Sequence, residues 1–203
     1  MTFTDRTVAQ LLEAFASPEP TPGGGSAAAL AGALGASLLA MVAGLPKSRA
    51  ATAEDSARLA AAGARCRAIA ADLTALVDRD SDAYQLVMDA YRQPKATDAD
   101  KALRSAAIQE AMRAAIAAPL AVMRACAAAA EQGVVIAALG NPSASSDAAV
   151  AFELLGAGTR GAKLNVETNL GSIKDAAYAE TVRGEVTEFE RALNHETAAA
   201  RRT

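Results

Sequence analysis

Apolar side chains recur at intervals of three and four residues along most of this chain, which is the repeat of an α-helix. The first such segment, 7–17, places Val8, Leu11, Leu12 and Phe15 on one face. The two-residue alternation that marks strands is missing from the sequence. The pattern therefore predicts one all-α domain over residues 1–203, a single bundle of long antiparallel helices covering 7–17, 26–45, 54–91, 97–138, 148–169 and 174 onward.

The second predicted helix, from Ser26 to Leu45, differs from the others because it carries no charge. About 20 such residues are long enough to span a bilayer. The stretch is rich in alanine and glycine, however, which partition weakly into lipid, and no basic residue flanks its N-terminal side. A helix that is apolar all round is also typical of the centre of a soluble core. We expect a central buried helix and no membrane span.

Prolines and small polar residues separate the helices. Gln93-Pro94-Lys95 ends the third helix, and Thr97 or Asp98 can cap the fourth. Pro119 lies inside the fourth helix, where it removes one backbone hydrogen bond and predicts a kink. The turn Gly140-Asn141-Pro142 ends that helix, and the candidate N-caps of the next one are Ser145, Ser146 and Asp147.

Composition and charge narrow the classes of function. The chain is 52% hydrophobic but only 3% aromatic, so we expect small side chains and closely packed helices. A formal net charge of −3, with both signs interspersed, argues against nucleic-acid binding. Cys66, Cys126 and His195 are too scattered for a metal site or a disulfide framework, which favours a reducing cytoplasm. The charged N-terminus lacks the apolar core of a signal peptide.

One carboxylate lies on an otherwise apolar helical face. The helical repeat places Asp80 on the stripe formed by Leu73, Val77, Tyr84 and Val87. A carboxylate there is costly unless it is paired or used, and burial raises its pKa toward the range that suits acid–base catalysis. The alternative is structural: Asp80 caps a neighbouring helix or pairs with a buried arginine.

A glycine loop precedes the uncharged helix and forms a second candidate site. It consists of Pro22, Gly23, Gly24, Gly25 and Ser26, and it lacks the lysine and the preceding strand of a phosphate-binding P-loop. The start of a helix presents bare N–H groups that attract anions and hydrogen-bond acceptors. The alternative is a tight turn in which the glycines supply positive φ angles. The residues alone do not separate these two interpretations.

Polar residues in the second half of the chain form a third group. Asn165 and Asn169 stand four apart on one helical face, where their amides could bind the edge of a heterocycle, and Asp147 begins the same helix. Lys95 could meet an anionic ligand tail, and Asn141 is a further binding candidate. Each of these residues also has a structural alternative. Asn165 and Asn169 could satisfy helix ends or form a subunit contact, and Asn141 could stabilise its turn. Lys95 could simply be an exposed lysine.

Five segments together resemble the cyclodeaminase and methenyltetrahydrofolate cyclohydrolase family. They are PTPGGGSAAALAGALGASLLAMV, DRDSDAYQLVMDAYRQPK, AIQEAMRAAIAAPLAV, SSDAAVAFELLGAG and LNVETNLGSIKD. Their order and spacing also fit, and the resemblance extends from Phe3 to Glu190. The segment 44–50, GLPKSRA, departs from the family, which typically has Asn-Leu-Thr followed by a lysine-rich stretch ending in tyrosine.

The resemblance implies an all-α fold that dimerises through long helices, with folate bound in a cleft near the subunit contact. It implies a tetrahydrofolate derivative as substrate, and neither a metal nor a cofactor. The acidic catalytic position of the family falls on Asp80, four residues before Tyr84. The glycine loop, Asp147, Asn165 and Asn169 also fall on family motif positions.

The resemblance implies two related reactions at the carbon that bridges N5 and N10 of tetrahydrofolate. In the cyclohydrolase reaction, water attacks the 5,10-methenyl cation and formyltetrahydrofolate results. In the cyclodeaminase reaction, N10 attacks a formimino group on N5 and ammonia leaves. We favour the cyclohydrolase, because the chain has no fused formiminotransferase domain. The third alternative is a folate-binding or helical interaction protein without activity.

Overall fold

Six α-helices and one 3₁₀ turn make up the computed structural model, which describes residues 2–202. No strand occurs within those residues, so the all-α prediction is confirmed. The helices are α1 (Val8–Ala16), α2 (Gly24–Gly44), α3 (Ala53–Arg92), α4 (Asp98–Leu139), α5 (Ser145–Leu170) and α6 (Ala176–Ala200), and the 3₁₀ turn is Pro142–Ala144.

Four of the six helices begin with a side-chain cap, and α2 and α5 do not. Thr97 caps α4 in a capping box with Asp100, which selects Thr97 over Asp98. The prediction of a side-chain cap for α5 at Ser145, Ser146 or Asp147 is wrong. Ala144 occupies the cap position without a side-chain bond, because the 3₁₀ turn continues directly into α5.

The uncharged helix α2 is the centre of the bundle, as the sequence predicts, and it packs against α3, α4 and α5. Two of its glycines explain how the helices come so close. A Cβ atom at Gly32 would lie 2.7 Å from the sulfur of Cys126 on α4. At Gly35 it would lie 2.8 Å from the carbonyl oxygen of Ala151 on α5. Any side chain at either position would force the helices apart.

One face of α2 stays outside the bundle. Leu34 is 51% exposed and Met41 is 40% exposed. By length and composition alone, α2 and α4 could each cross a membrane. Within the bundle, however, half of the most apolar window of α2 is buried, and 44% of that of α4. The exposed face of α2 that carries Leu34 and Met41 is therefore an apolar surface without a partner among residues 2–202.

Candidate active site

A cleft of about 450 Å³ opens where the N-terminus of α2 meets the C-terminal third of α3, the N-terminal half of α4 and the C-terminal half of α5. It brings together residues that the sequence places up to 152 positions apart, from Pro20 to Ser172. Its walls are formed by Pro20, Thr21, Gly23, Gly24, Gly25, Asp80, Tyr84, Val87, Met112, Ala115, Asn165, Thr168, Asn169 and Ser172.

The Asp80 carboxylate is held by one of its two oxygens. Oδ2 accepts a hydrogen bond from the backbone N–H of Ser26 at 2.9 Å, and the Ser26 hydroxyl lies 3.1 Å from the same atom. That hydroxyl also donates to the carbonyl oxygen of Val77 at 2.8 Å, and Ser26 is fully buried. Oδ1 accepts no hydrogen bond from residues 2–202. One oxygen therefore fixes the carboxylate while the other remains open for chemistry.

Burial raises the pKa of Asp80 above the usual range of an aspartate, and the two hydrogen bonds from Ser26 lower it only in part. No lysine or arginine within the described residues forms an ion pair with it. Asp80 is therefore not paired with a buried arginine. It does cap a neighbouring helix, because the Ser26 N–H that it accepts belongs to the third residue of α2. Capping uses Oδ2 and leaves Oδ1 free, so the structural role does not exclude a chemical one.

The glycines serve close approach and not unusual backbone angles. No glycine within residues 2–202 has a positive φ, so the tight-turn interpretation is wrong. A Cβ atom on Gly25 would lie 2.0 Å from Asp80 Oδ1. On Gly24 it would lie at an ordinary 3.6 Å from Asn165 Nδ2. Gly25 is thus the position at which the loop must be glycine if Asp80 is to reach α2.

The first turn of α2 also leaves donors free. Gly23 caps the helix without a side chain, and the backbone N–H groups of Gly24 and Gly25 meet no acceptor within the described residues. Free N–H groups at the positive end of a helix bind carbonyl oxygens and oxyanions. Pro22 lies buried behind them, after a cis peptide bond from Thr21. The loop therefore supplies a backbone binding surface beside Asp80.

The asparagine pair contributes two acceptors to the cleft. Asn169 Nδ2 donates to the carbonyl oxygen of Ala115 at 2.9 Å, and Asn165 Nδ2 donates to that of Gly161. Ala115 needs this donor because Pro119, four residues later in α4, has no N–H. Both Oδ1 atoms remain without a donor within residues 2–202. The pair can therefore accept hydrogen bonds from N–H groups of a ligand.

Two of the predicted site residues, Pro22 and Ser26, are buried and do not line the cleft. Three others lie away from its walls. Asn141 accepts from the N–H of Ser143 and donates to the carbonyl oxygen of Pro46, which is turn chemistry at the far end of α4. Asp147 is 18 residues before Asn165 on α5, roughly 27 Å along the helix axis. Lys95 is exposed in the loop between α3 and α4. A role for any of them in substrate binding stays a prediction.

Apolar and small residues that no sequence motif marks complete the walls of the cleft. Val87 and Met112 pack together beside the cleft and carry no chemical signal of their own. Thr168 was detectable, because it lies one turn after Asn165 on the same face of α5. Ser172 follows α5 directly and could be placed only once the chain was folded.

Comparison with known proteins agrees with this fold. The family model described as Formiminotransferase-cyclodeaminase matches residues 7–188. The chain is 40% identical to a methenyltetrahydrofolate cyclohydrolase of Methylorubrum extorquens over 176 residues, covering 87% of this chain and 85% of that protein. It is 36% identical to the formimidoyltransferase-cyclodeaminase of Sus scrofa, covering 82% of this chain but only 31% of that longer protein.

The same fold occurs in a solved structure, a formiminotetrahydrofolate cyclodeaminase from Thermotoga maritima. The two superpose with a TM-score of 0.82 at 24% identity, over 97% of this chain and 94% of the other. The helical architecture is therefore shared at low sequence identity. With the match over residues 7–188, this chain belongs to the formiminotransferase-cyclodeaminase family.

Proposed function

We propose that this protein hydrolyses 5,10-methenyltetrahydrofolate to formyltetrahydrofolate. The observation that carries the proposal is the Asp80 carboxylate in the wall of the cleft, with Oδ2 held by Ser26 and Oδ1 without a donor among residues 2–202. Its negative charge favours binding of a cationic methenyl group, and its raised pKa suits proton transfer. The cyclohydrolase of Methylorubrum extorquens, which has nearly the same length, supports the same reaction.

The proposed mechanism needs only water and acid–base chemistry. The water oxygen bonds to the methenyl carbon while Asp80 accepts one of its protons, which gives a neutral tetrahedral adduct. The bond from that carbon to one ring nitrogen then breaks, and Asp80 returns the proton to the leaving nitrogen. The hydroxyl proton of the adduct passes to solvent as the formyl C=O forms. We propose that no metal or cofactor takes part.

The walls of the cleft suit the rest of the pteridine. The free amides of Gly24 and Gly25 can donate to a carbonyl oxygen of the ring or to oxygen charge on the adduct. The Oδ1 atoms of Asn165 and Asn169 can accept from ring N–H groups. Tyr84, 37% exposed, offers an aromatic face to the flat ligand.

The cyclodeaminase reaction is the second candidate, because the Sus scrofa and Thermotoga maritima relatives bear that name. It passes through the same kind of tetrahedral carbon, so Asp80 could serve it equally. The two candidate reactions differ in their substrate. The relatives named for them also differ in length: the chain covers most of the Methylorubrum cyclohydrolase but only about a third of the Sus scrofa protein.

A spectrophotometric assay tests the proposed function. We expect the purified protein to accelerate loss of the 5,10-methenyltetrahydrofolate absorbance. Appearance of that absorbance from 5-formiminotetrahydrofolate would instead identify a cyclodeaminase. If neither substrate reacts, the catalytic proposal fails, and a folate-binding or interaction protein without activity remains.

We further propose that the protein is a soluble, cytoplasmic homodimer joined through the exposed faces of α2 and α5. The two helices pack antiparallel, with Gly158 against Ala28 and Gly35 against Ala151. On the side that they share, the helical repeat aligns Leu34 of α2 with Val150 and Leu164 of α5, which are 51%, 51% and 65% exposed. An apolar face of this kind favours a partner.

Leu34→Glu should disrupt this dimer, because it places a charge at the centre of an apolar contact. Analytical ultracentrifugation at micromolar concentration should show a dimer for the native chain and a monomer for the variant. The matched control is Leu86→Glu on α3, where the leucine is 54% exposed among polar residues, and this variant should remain dimeric. The proposal would be contradicted if the native chain were a monomer, or if it sedimented with lipid vesicles.

A further inference from the structure

Ser26 contacts Asp80 through two groups that behave differently. Its backbone N–H donates to Asp80 Oδ2 at 2.9 Å, and this bond does not depend on the side chain of residue 26. Its hydroxyl has a single hydrogen but two acceptors within reach, the carbonyl oxygen of Val77 at 2.8 Å and Asp80 Oδ2 at 3.1 Å. The hydroxyl can therefore donate to only one of the two acceptors at a time.

The carbonyl oxygen of Val77 does not depend on this hydroxyl. Val77 lies inside α3, so its carbonyl oxygen already accepts the helical N–H of Ser81, four residues later. When the Ser26 hydroxyl turns away, this buried backbone acceptor still has a donor. The Ser81 hydroxyl lies 3.4 Å from that of Ser26 and can then donate to the Ser26 oxygen. The hydroxyl of Ser26 can thus rotate without leaving a buried polar group unpaired.

No other charge faces Asp80 within the described residues. The helix α2 is uncharged along its whole length, and the cleft walls that α4 and α5 supply carry no acidic or basic side chain. On α3, Asp78 is turned toward the N-terminal segment, Asp82 is exposed, and Tyr84 is the other titratable group in the cleft walls. Burial raises the pKa of Asp80, and Ser26 is the one described residue whose hydrogen bonds lower it.

Resting on the proposed function, we propose that Ser26 is a positioning residue whose hydroxyl follows the proton on Asp80. While the carboxylate is ionised, the hydroxyl donates to Oδ2, because a hydrogen bond to a charged oxygen is the stronger one. Asp80 then takes the proton of the attacking water on Oδ1. Oδ2 becomes a neutral carbonyl oxygen, and the hydroxyl turns back to Val77. When Oδ1 gives its proton to the leaving nitrogen, the hydroxyl returns to Oδ2, and Ser26 itself has neither gained nor lost a proton.

Ser26→Ala tests this role, because it removes the hydroxyl and keeps the backbone bond to Oδ2. The ionised carboxylate then loses a donor, so the midpoint at which kcat/KM rises with pH should move upward by about one pH unit. The loss of rate should shrink as the pH passes the new midpoint. Damage to the packing of the site would instead lower the rate equally at every pH, and that result would overturn the proposal.

Two further variants control this test. Ser26→Cys is nearly isosteric and replaces the hydroxyl by a weak donor, so its midpoint should lie between those of the native chain and Ser26→Ala. The matched control is Ser37→Ala on the same helix, where the hydroxyl donates to the carbonyl oxygen of Ala33 at 2.7 Å. This variant should keep the native midpoint, and an equal shift in both alanine variants would refute a specific role for Ser26.

An NMR titration keeps this proposal separate from the proposed reaction. In isotope-labelled protein, the carboxyl carbon resonance of Asp80, assigned by its loss in Asp80→Asn, reports protonation without any substrate. A higher midpoint in Ser26→Ala than in the native chain would support the proposal even if neither folate reacts. Equal midpoints in the two chains would overturn it. If Ser26→Ala does not fold, a native midpoint in Ser26→Cys would overturn it in the same way.

Discussion

Asp80→Asn is expected to lower kcat for 5,10-methenyltetrahydrofolate by about 10²–10⁴, the usual contribution of a positioned acid–base group. Asparagine has nearly the same shape, and its oxygen can still accept the Ser26 N–H at the start of α2. The proton transfer is lost while the packing is kept. Folate affinity should therefore stay within about tenfold, or ~1.4 kcal/mol. Single-turnover kinetics and calorimetry on the same sample measure the two effects.

The control for this prediction is Asp82→Asn, which removes the same charge from an exposed position two residues further along α3. It should leave kcat unchanged, and an equal loss in both variants would refute a specific role for Asp80. The pH dependence gives a second check. The base form is ionised, so kcat/KM should rise with pH through the pKa of Asp80, with a midpoint above that of an ordinary aspartate.

The same shift has a consequence for stability. Because burial raises the pKa of Asp80 in the folded state, ionisation of this group costs stability as pH rises through that pKa. Asp80→Asn should therefore be at least as stable as the native chain at neutral pH. The difference should vanish in acid, where the carboxyl is protonated in both the folded and the unfolded chain.

Gly25→Ala is expected to cost about 10² or more in kcat/KM without unfolding the protein. The added methyl group would lie 2.0 Å from Asp80 Oδ1, so the carboxylate must rotate away from its position beside α2. A misplacement of about 1 Å can cost two orders of magnitude in rate. The clash involves a side-chain end and not backbone, and alanine favours the helix, so we expect a small change in melting temperature.

Gly44→Ala is the matched control for the glycine prediction. Gly44 ends the same helix, and an added Cβ there meets nothing within 4 Å. This variant should keep full activity. If Gly25→Ala were as active as Gly44→Ala, the close approach of Asp80 to α2 would have no catalytic meaning.

The helices and the catalytic candidate Asp80 could be predicted from the sequence, because both follow from the helical repeat of apolar residues. Leu73, Val77 and Val87 are buried on the same face of α3 as Asp80, as their spacing predicts. The partner of Asp80 was not accessible in this way. Its contact with Ser26 depends on how closely α2 approaches α3. Gly25 sets that distance, because a side chain at this position would clash with Asp80. The need for glycine here is therefore steric, and it does not come from an unusual backbone angle.

Pro119 has an evolutionary consequence. Its missing N–H leaves the Ala115 carbonyl to Asn169, so the proline in α4 and the asparagine in α5 form a complementary pair across two helices. Relatives that replace this proline by an ordinary residue regain a donor within α4. Residue 169 would then no longer need to donate a hydrogen bond to α4. Residues 119 and 169 should therefore vary together in the family.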